Sequence, residues 1–577
     1  MTKTPYSARR LSVLFAAVLV ACGGGSAGDT IRASASSVEE DSDDGATVAA
    51  AVDDGRRHVA SFAANASAAP GFIPTGVPDA QTKGVFGPVV SLPLMPIHQV
   101  LLPTGRVLFY GSDITGLQGG GLHYAVWDPT QGTGSGAFEV LPQVTGTNIF
   151  CAGQSLLPDT GDVLIIGGTT MVQNVNGWGV ADVNRYSTTQ DTMLGEPAMG
   201  WRRWYPTLLT LTDGQQLALG GRMDRPIGDQ GGDNDDIVAP KRAAAAPAAK
   251  ASSPASYATT PELWNKTTGW HALTGADSDD AFGSVSQAWY YPRAWVAPQG
   301  NVFLMTTTGS LYKMDTAGTG TLTKYAVTAP KALDARMQAV MYDQGKILAV
   351  RSRQQTVTIN LNGTKPVVTA TGAETRLRSY GNATLLADGQ VWVNGGGQKG
   401  NTLNGDEWYV SEMWNPTSGA WSDMATATIP RLYHSSSMLL PDATVMTGGG
   451  GDPGPVTNLN AEIYYPPYLY LKDGSGNPAP RPAIVSAPDV LGWNASFNVS
   501  VSTGTQVSRV TLIRTGVVTH NFNENQRFQD MTFTQTGTTV KLKTPGKAGI
   551  APPGYYMLFV FDANGVPSVA KIFRIGT

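Results

Sequence analysis

The sequence predicts an all-β protein: a seven-bladed Kelch-type β-propeller followed by a C-terminal immunoglobulin-like β-sandwich. Three observations carry this expectation. Glycine supplies 68 of 577 residues and charged residues only 15%, a composition of turns and apolar strands rather than of charged helix faces. One pattern recurs seven times: an apolar strand, a tight turn with Asp or Gly, a second apolar strand and usually Gly-Gly. Where the pattern stops, short strands continue with turn signals between them, as in a sandwich.

The seven copies run from Gln99 to Gly111, Ser155 to Gly168, Leu208 to Gly221, Trp295 to Thr307, Val340 to Ser352, Thr384 to Gly396 and Met438 to Gly449. Successive copies begin 44 to 56 residues apart, except for one interval of 87. A period near ~50 with a hairpin and paired glycines marks a propeller blade, each unit a few antiparallel strands around a central channel. The copies at Trp295 and Val340 lack the glycine pair. The long interval contains an inserted loop, residues 228–260, which begins with Asp229, Asp233, Asp235 and Asp236 and continues through Ala and Pro. The ligand alternation of a calcium loop is missing there, so it reads as surface. Residues 81–475 are assigned to the propeller and 476–577 to the sandwich, with strands at Val507 to Ile513 and Tyr556 to Phe561.

The first 22 residues read as an address. Lys3, Arg9 and Arg10 precede the short apolar run Leu11 to Val20, too short for a permanent membrane span. Leu19-Val20-Ala21-Cys22 resembles a bacterial lipobox, which implies cleavage before Cys22, lipid on its sulfur and a protein held at the bacterial cell envelope, or secreted if Cys22 is not lipidated. Residues 23–80, rich in Ala, Ser, Gly and Asp, are expected to form a flexible tether. The chain has two cysteines; with Cys22 lipidated or removed, Cys151 has no disulfide partner and is either a buried small hydrophobe or a functional group. A net charge of -4 without a basic patch argues against nucleic acid as a partner.

Phase within the repeat locates the chemistry. Tyr205 lies fifteen residues before Gly220, Tyr433 fifteen before Gly448 and Cys151 sixteen before Gly167. Equivalent phases of a ring share one rim near its axis, so Cys151, Tyr205 and Tyr433 are expected to meet at one mouth of the channel. Tyr291, Arg336 and Tyr380 hold the same phase and are expected to line the pocket, although tyrosines at this phase also cap strands for packing alone. His434 follows Tyr433, and both reach one site only where the strand is just beginning or irregular. His98, His123 and His271 fall outside the phase and are left without a role.

Three segments of the repeats, Phe150-Cys151-Ala152-Gly153, Arg203-Trp204-Tyr205-Pro206-Thr207 and Arg431-Leu432-Tyr433-His434-Ser435, together with Thr515 to His520 and Pro553 to Ser568, resemble the galactose oxidase and glyoxal oxidase family of copper radical oxidases. The resemblance covers about residues 90 to 577. It implies one copper ion held by Tyr205, Tyr433, His434 and His520, with Tyr433 axial. It also implies a thioether between Cys151 and Tyr205 that makes the tyrosine a radical cofactor built from the protein itself. His520 then comes from the sandwich, on a loop entering the channel from the mouth opposite the rim. The implied reaction is oxidation of a primary alcohol, an aldehyde or a carbohydrate alcohol, with O2 reduced to H2O2. Phe150 joins the expected pocket. So does Met223, at the position where a tryptophan shields the cross-link in galactose oxidase. That difference, and the lack of a match to an amino-terminal sugar-binding domain, resemble the glyoxal oxidase branch more closely. The expected enzyme is monomeric and touches a membrane only through its lipid. An exported Kelch-type carbohydrate-binding protein without catalysis is the alternative, and metal analysis separates the two.

Overall fold

The computed structural model describes residues 73–117, 123–172, 175–224, 255–352, 355–451 and 453–576, all within one compact unit, Gly45–Thr577. Cys22, the tether up to residue 72 and residues 228–254 of the inserted loop lie outside the described residues. No helix among the described residues is long and apolar enough to cross a membrane.

Seven antiparallel sheets follow one another along the described chain. Their first strands are His98–Leu101, Gly153–Leu156, Thr207–Thr210, Arg293–Val296, Ala339–Asp343, Ser379–Leu385 and Ser435–Leu439. Every copy of the repeat supplies the opening hairpin of one sheet, including the two copies without paired glycines. The hairpin turns place Gly105, Gly214, Gly300 and Gly389 at φ between 82° and 99°, a region glycine enters without steric cost. In the last sheet, Asn460–Tyr465 is completed by Val85–Phe86 and Val90–Ser91 from the start of the described chain.

First strands are buried along almost their whole length, whereas last strands such as Thr321–Thr328 and Val367–Ala370 are largely exposed. The buried first strands carry many polar side chains, and these bond from sheet to sheet. Gln99 donates to the Ser436 hydroxyl at 2.7 Å, Asn382 to the Ser435 hydroxyl at 2.9 Å, and the Ser155 and Thr210 hydroxyls share a bond of 2.9 Å. Buried polar groups need such partners, so these bonds tie neighbouring first strands together.

Two-stranded ribbons pair Thr169–Val172 with Val175–Gly179 and Arg222–Asp224 with Ser256–Tyr257, and most strands from Ile484 onward form two further sheets. One holds Ile484–Ser486, Ser496–Val501, Thr539–Lys543 and Phe533–Thr536; the other holds Val490–Leu491, Lys571–Ile575, Gly554–Asp562, Val507–Arg514 and Phe528–Asp530. They share an apolar core that includes Phe497, Val499, Val510, Leu512, Val540, Leu558 and Val560. Ile513, Met557, Phe559 and Phe561 belong instead to the apolar cluster that also holds Leu385, Leu386 and Trp392 in and beside the sixth repeat sheet. Burial on both faces accounts for the unbroken apolar run at Tyr556 to Phe561.

Candidate active site

A short hairpin joins the C-terminal part to the first of the seven sheets. Val517–Thr519 pairs with Phe522–Asn523 and adds itself to the edge of His98–Leu101, with Thr519 opposite His98. The two-residue turn is His520-Asn521, at φ 46° and 60°. Positive φ at both central residues is the geometry of a tight hairpin turn that matches strand twist, and a non-glycine residue there is strained. The hairpin base is gripped from several sheets: Gln154 donates to the Val518 carbonyl at 2.9 Å, and Gln526 exchanges bonds with both backbone groups of Leu385.

Five residues singled out in the sequence meet at the tip of this hairpin. The Tyr205 and Tyr433 hydroxyl oxygens are 2.5 Å apart. Cys151 Sγ lies 3.4 Å from His520 Nε2 and 3.8 Å from His434 Nε2. All five residues are at most 2% exposed. Tyr433 and His434 precede the strand Ser435–Leu439, and His434 turns at φ 65°; this irregular strand start lets both adjacent residues reach one site.

Residues that share the repeat phase lie side by side on adjacent segments. Cys151, Tyr205, Tyr291 and Tyr380 all sit at positive φ, from 37° to 65°, and outliers of this kind cluster at functional sites. The Tyr205 amide donates to the Cys151 carbonyl, and the Tyr291 amide to the Tyr205 carbonyl, each at 2.9 Å. Three rim segments share a brace that sequence reading missed. Arg203, Arg378 and Arg431, each two residues before a rim tyrosine, donate to the carbonyls of Gly220, Gly395 and Gly449 in turn. The same guanidiniums pair with Glu262, Glu412 and Glu462, all fully or almost fully buried. The signal was present as Glu262-Leu263-Trp264, Glu412-Met413-Trp414 and Glu462-Ile463-Tyr464. The paired glycines also leave room for the next segment: a Cβ at Gly395 or Gly167 would collide with the carbonyl of Arg431 or Arg203.

The surroundings of Tyr205 differ from the expectation. Its ring lies 4.2 Å from Trp204, 4.7 Å from Tyr290, 5.3 Å from Tyr291 and 5.9 Å from Trp289. Met223 is half-buried on the strand Arg222–Asp224 and falls outside this ring cluster; its neighbour Arg222 lies over Trp204 at 4.4 Å and Trp289 at 5.2 Å. The run Trp289-Tyr290-Tyr291 was visible in the sequence, but only its last member has the rim phase. Phe150 is fully buried, edge-on to His434 at 5.4 Å. Tyr291 donates to the Ala152 carbonyl at 3.1 Å. Arg336 is not free to fork onto a ligand: it donates to Tyr380 at 2.6 Å and pairs with Asp334 at 3.0 Å. Tyr380 in turn packs against Tyr433 at 5.1 Å. His98, left without a role above, stacks on Tyr110 at 4.4 Å and meets His520 edge-on at 5.6 Å.

These donors suit a metal. Burial, then the neighbouring His434, His98 and Arg293, hold His520 well below the usual imidazole range, so it is a neutral lone-pair donor. Nδ1 of His434 donates to the Gly451 carbonyl at 2.7 Å, and Nδ1 of His520 shares a bond of 2.5 Å with the Thr519 hydroxyl. In both rings Nε2 is thereby left toward Cys151, and a second partner of this kind commonly orients a metal-binding histidine. Cys151 Sγ and one nitrogen of each histidine lie within 4.8 Å of one another. Two phenol oxygens with two imidazole nitrogens match the preference of copper(II).

An all-β protein with two tyrosines and two histidines drawn to one buried point is the setting in which its relatives are best considered. Residues 481–575 match the galactose oxidase-like Early set domain. Galactose oxidase of Gibberella zeae is 28% identical over 521 residues, spanning 85% of this chain and 70% of that protein. Aldehyde oxidase GLOX1 of Arabidopsis thaliana is 23% identical over 499 residues, spanning 76% and 73%. A fungal alcohol oxidase of the AA5 family, solved in complex with copper, shares the fold with a TM-score of 0.71 at 24% identity, over 86% of this chain and 100% of that one. The chain is thus similar, over most of its length, to galactose oxidase and to a glyoxal oxidase-type aldehyde oxidase.

Proposed function

We propose that this protein oxidises a primary alcohol to an aldehyde, or a hydrated aldehyde to an acid, with O2 reduced to H2O2. The observation that carries the reading is the buried Tyr205–Tyr433 hydroxyl pair, 2.5 Å apart, with the His520 ring 5.1 Å from the Tyr205 ring and the His434 ring 3.8 Å from the Tyr433 ring. Tyr205, Tyr433, His434 and His520 would hold one copper ion. Copper, when bound, supplies a one-electron acceptor and an open position for substrate oxygen. Tyr433 takes the hydroxyl proton of the alcohol as a general base. Tyr205, joined to Cys151, takes the hydrogen atom from the carbinol carbon. Forming that thioether removes one hydrogen from the Cys151 sulfur and one from the Tyr205 ring, and O2 accepts both as H2O2. Trp204, Tyr290 and Phe150 surround the two groups with apolar rings that exclude water from the oxidised tyrosine.

The scaffold for this reading is a seven-bladed propeller closed by the N-terminal strands, with an immunoglobulin-like sandwich packed on it. Its support is the sequence of seven sheets and the bonds between first strands. Export with lipid on Cys22, and action as a monomer, complete the proposal on the strength of the sequence alone. The test is to load purified protein with copper(II), measure bound metal, and assay peroxide with a panel of primary alcohols and aldehydes. Stoichiometric copper and peroxide from at least one class are expected. Failure to retain copper, with no peroxide from any substrate, would favour the non-catalytic binding protein.

A further inference from the structure

A second cavity opens at the end of the sixth sheet that carries Tyr380. Segment 374–378 leads into the strand Ser379–Leu385, and loop 398–408 leaves the strand Val391–Gly397. The loop is held closed by the Gln398 amide on the Asp406 carbonyl and the Trp408 amide on the Gly396 carbonyl. Between segment and loop is a cavity of about 260 Å3 lined by Glu374, Thr375, Arg376, Leu377, Gln398 and Trp408. It is smaller than the ~300–1,000 Å3 clefts that take drug-sized ligands, and of a size for a single small ring.

The lining is fixed yet incompletely used. The Trp408 indole N–H donates to the Leu377 carbonyl at 2.9 Å, which holds in place a ring that lines the cavity. Arg376 stands 5.7 Å over that ring and is held by two bonds to Asp423, at 2.6 and 2.9 Å. The Gln398 side-chain amide makes no hydrogen bond among the described residues, so both its donor and its acceptor are available. Glu374 is 6% exposed, and neither of its carboxyl oxygens has a hydrogen-bond partner among the described residues. Its contact with Arg378, at 3.4 Å, is long because that guanidinium is already bonded to Glu412 at 2.7 and 2.9 Å. Burial, reinforced by the Glu412 charge, pushes the Glu374 carboxyl up to about 8. At neutral pH it is thus an uncharged acid with a proton to donate.

The charges of the cavity are therefore balanced internally: Arg376 by Asp423, Arg378 by Glu412, and Glu374 by its own proton. Nothing is left over to attract an ion. What is offered is a flat indole ring, an unused amide and an unpartnered carboxyl. We propose that this cavity binds one neutral pyranose ring, whose C–H face stacks on Trp408 and whose hydroxyls bond to Gln398 and Glu374. Such a ring has an apolar face and a polar rim, which is the mixture an indole beside amide and acid groups accommodates. It reaches the site either as a free monosaccharide or as one unit of a longer saccharide. The inference concerns binding alone and does not depend on the oxidase reading.

Copper-free full-length protein should be titrated by calorimetry with methyl β-galactopyranoside, methyl β-glucopyranoside, lactose and cellobiose, with galacturonate as a charged control. Saturable binding of at least one neutral sugar is expected, and weaker binding of galacturonate. Trp408→Ala and Gln398→Ala should each weaken it about tenfold or more, with unchanged circular dichroism. Trp408→Phe should recover part of the loss if Trp408→Ala proves unstable. A disaccharide that binds more tightly than both glycosides identifies a saccharide chain as the source; equal affinities identify the single ring. Absence of saturable binding by all four neutral sugars, or affinities unchanged in both Gln398→Ala and Trp408→Phe, would overturn the proposal. Because no copper is present, neither result bears on peroxide production.

Discussion

The Tyr205 and Tyr433 hydroxyls touch at 2.5 Å although the residues are 228 positions apart, in a space where both side chains are 1% exposed. One phenol donates to the other, and both would serve as oxygen donors if a metal were bound. Around this pair the hairpin brings His520, the rim brings Cys151, and the strand start at Ser435 brings His434.

The Cys151–Tyr205 pair gives the first prediction. Cys151 is a fully buried thiol outside any disulfide, and its carbonyl already accepts the Tyr205 amide. Protein incubated with copper(II) and O2 should yield one linked peptide containing both residues, two hydrogens lighter than the separate peptides. Cys151→Ser should lack it, retain copper and lose nearly all peroxide output. An alkylatable Cys151 in copper-loaded, air-oxidised protein would sink the thioether.

His520 gives the second. It is a turn residue held by the Thr519 hydroxyl, and removing one of four ligands weakens a transition-metal site sharply. His520→Ala should fold, since its neighbours Thr519 and Phe522 keep the pairing, but should bind copper at least about tenfold more weakly in a chelator competition. Full copper retention in this variant would remove His520 from the site.

The buried braces give the third. Breaking a buried ion pair by removing one partner costs about 3–5 kcal/mol. Glu462→Ala should lower stability to denaturant by that order and cut kcat, because Arg431 sets the segment that holds Tyr433. The double variant Arg431→Met/Glu462→Leu should recover much of the stability without recovering all of the activity. Equal recovery of both would show that the brace serves stability alone.

Glu374 gives the fourth, through pH. Its carboxyl rises from an ordinary 4.5 to about 8 in the folded protein. Between these values the folded state binds more protons than the unfolded state, so stability falls as pH rises. The contribution is full below pH about 4.5 and is lost as pH approaches about 8. Glu374→Gln should flatten this slope in denaturant titrations from pH 5 to pH 8; an unchanged slope would mean that Glu374 is ionised in the native protein.

Much of the architecture and the order of the site was legible in the sequence, because hairpin, glycine pair and rim residue recur at a nearly constant local spacing. Phase alone pointed to Cys151, Tyr205 and Tyr433, and family resemblance added His434 and His520. Spacing could not show what surrounds those residues. Cys151 and His520 are 369 residues apart, and whether a turn on one part of the chain reaches a thiol on another depends on how the sheets curve around it. Trp204, Tyr290 and Trp289 crowd Tyr205 while Met223 does not, since the neighbours of a buried ring are set by the packing of adjacent sheets and not by the strand that bears it. Arg336 shares the rim phase, yet its guanidinium is taken by Asp334 and Tyr380. A buried cation is stable only where it finds partners, and those partners were chosen by the fold.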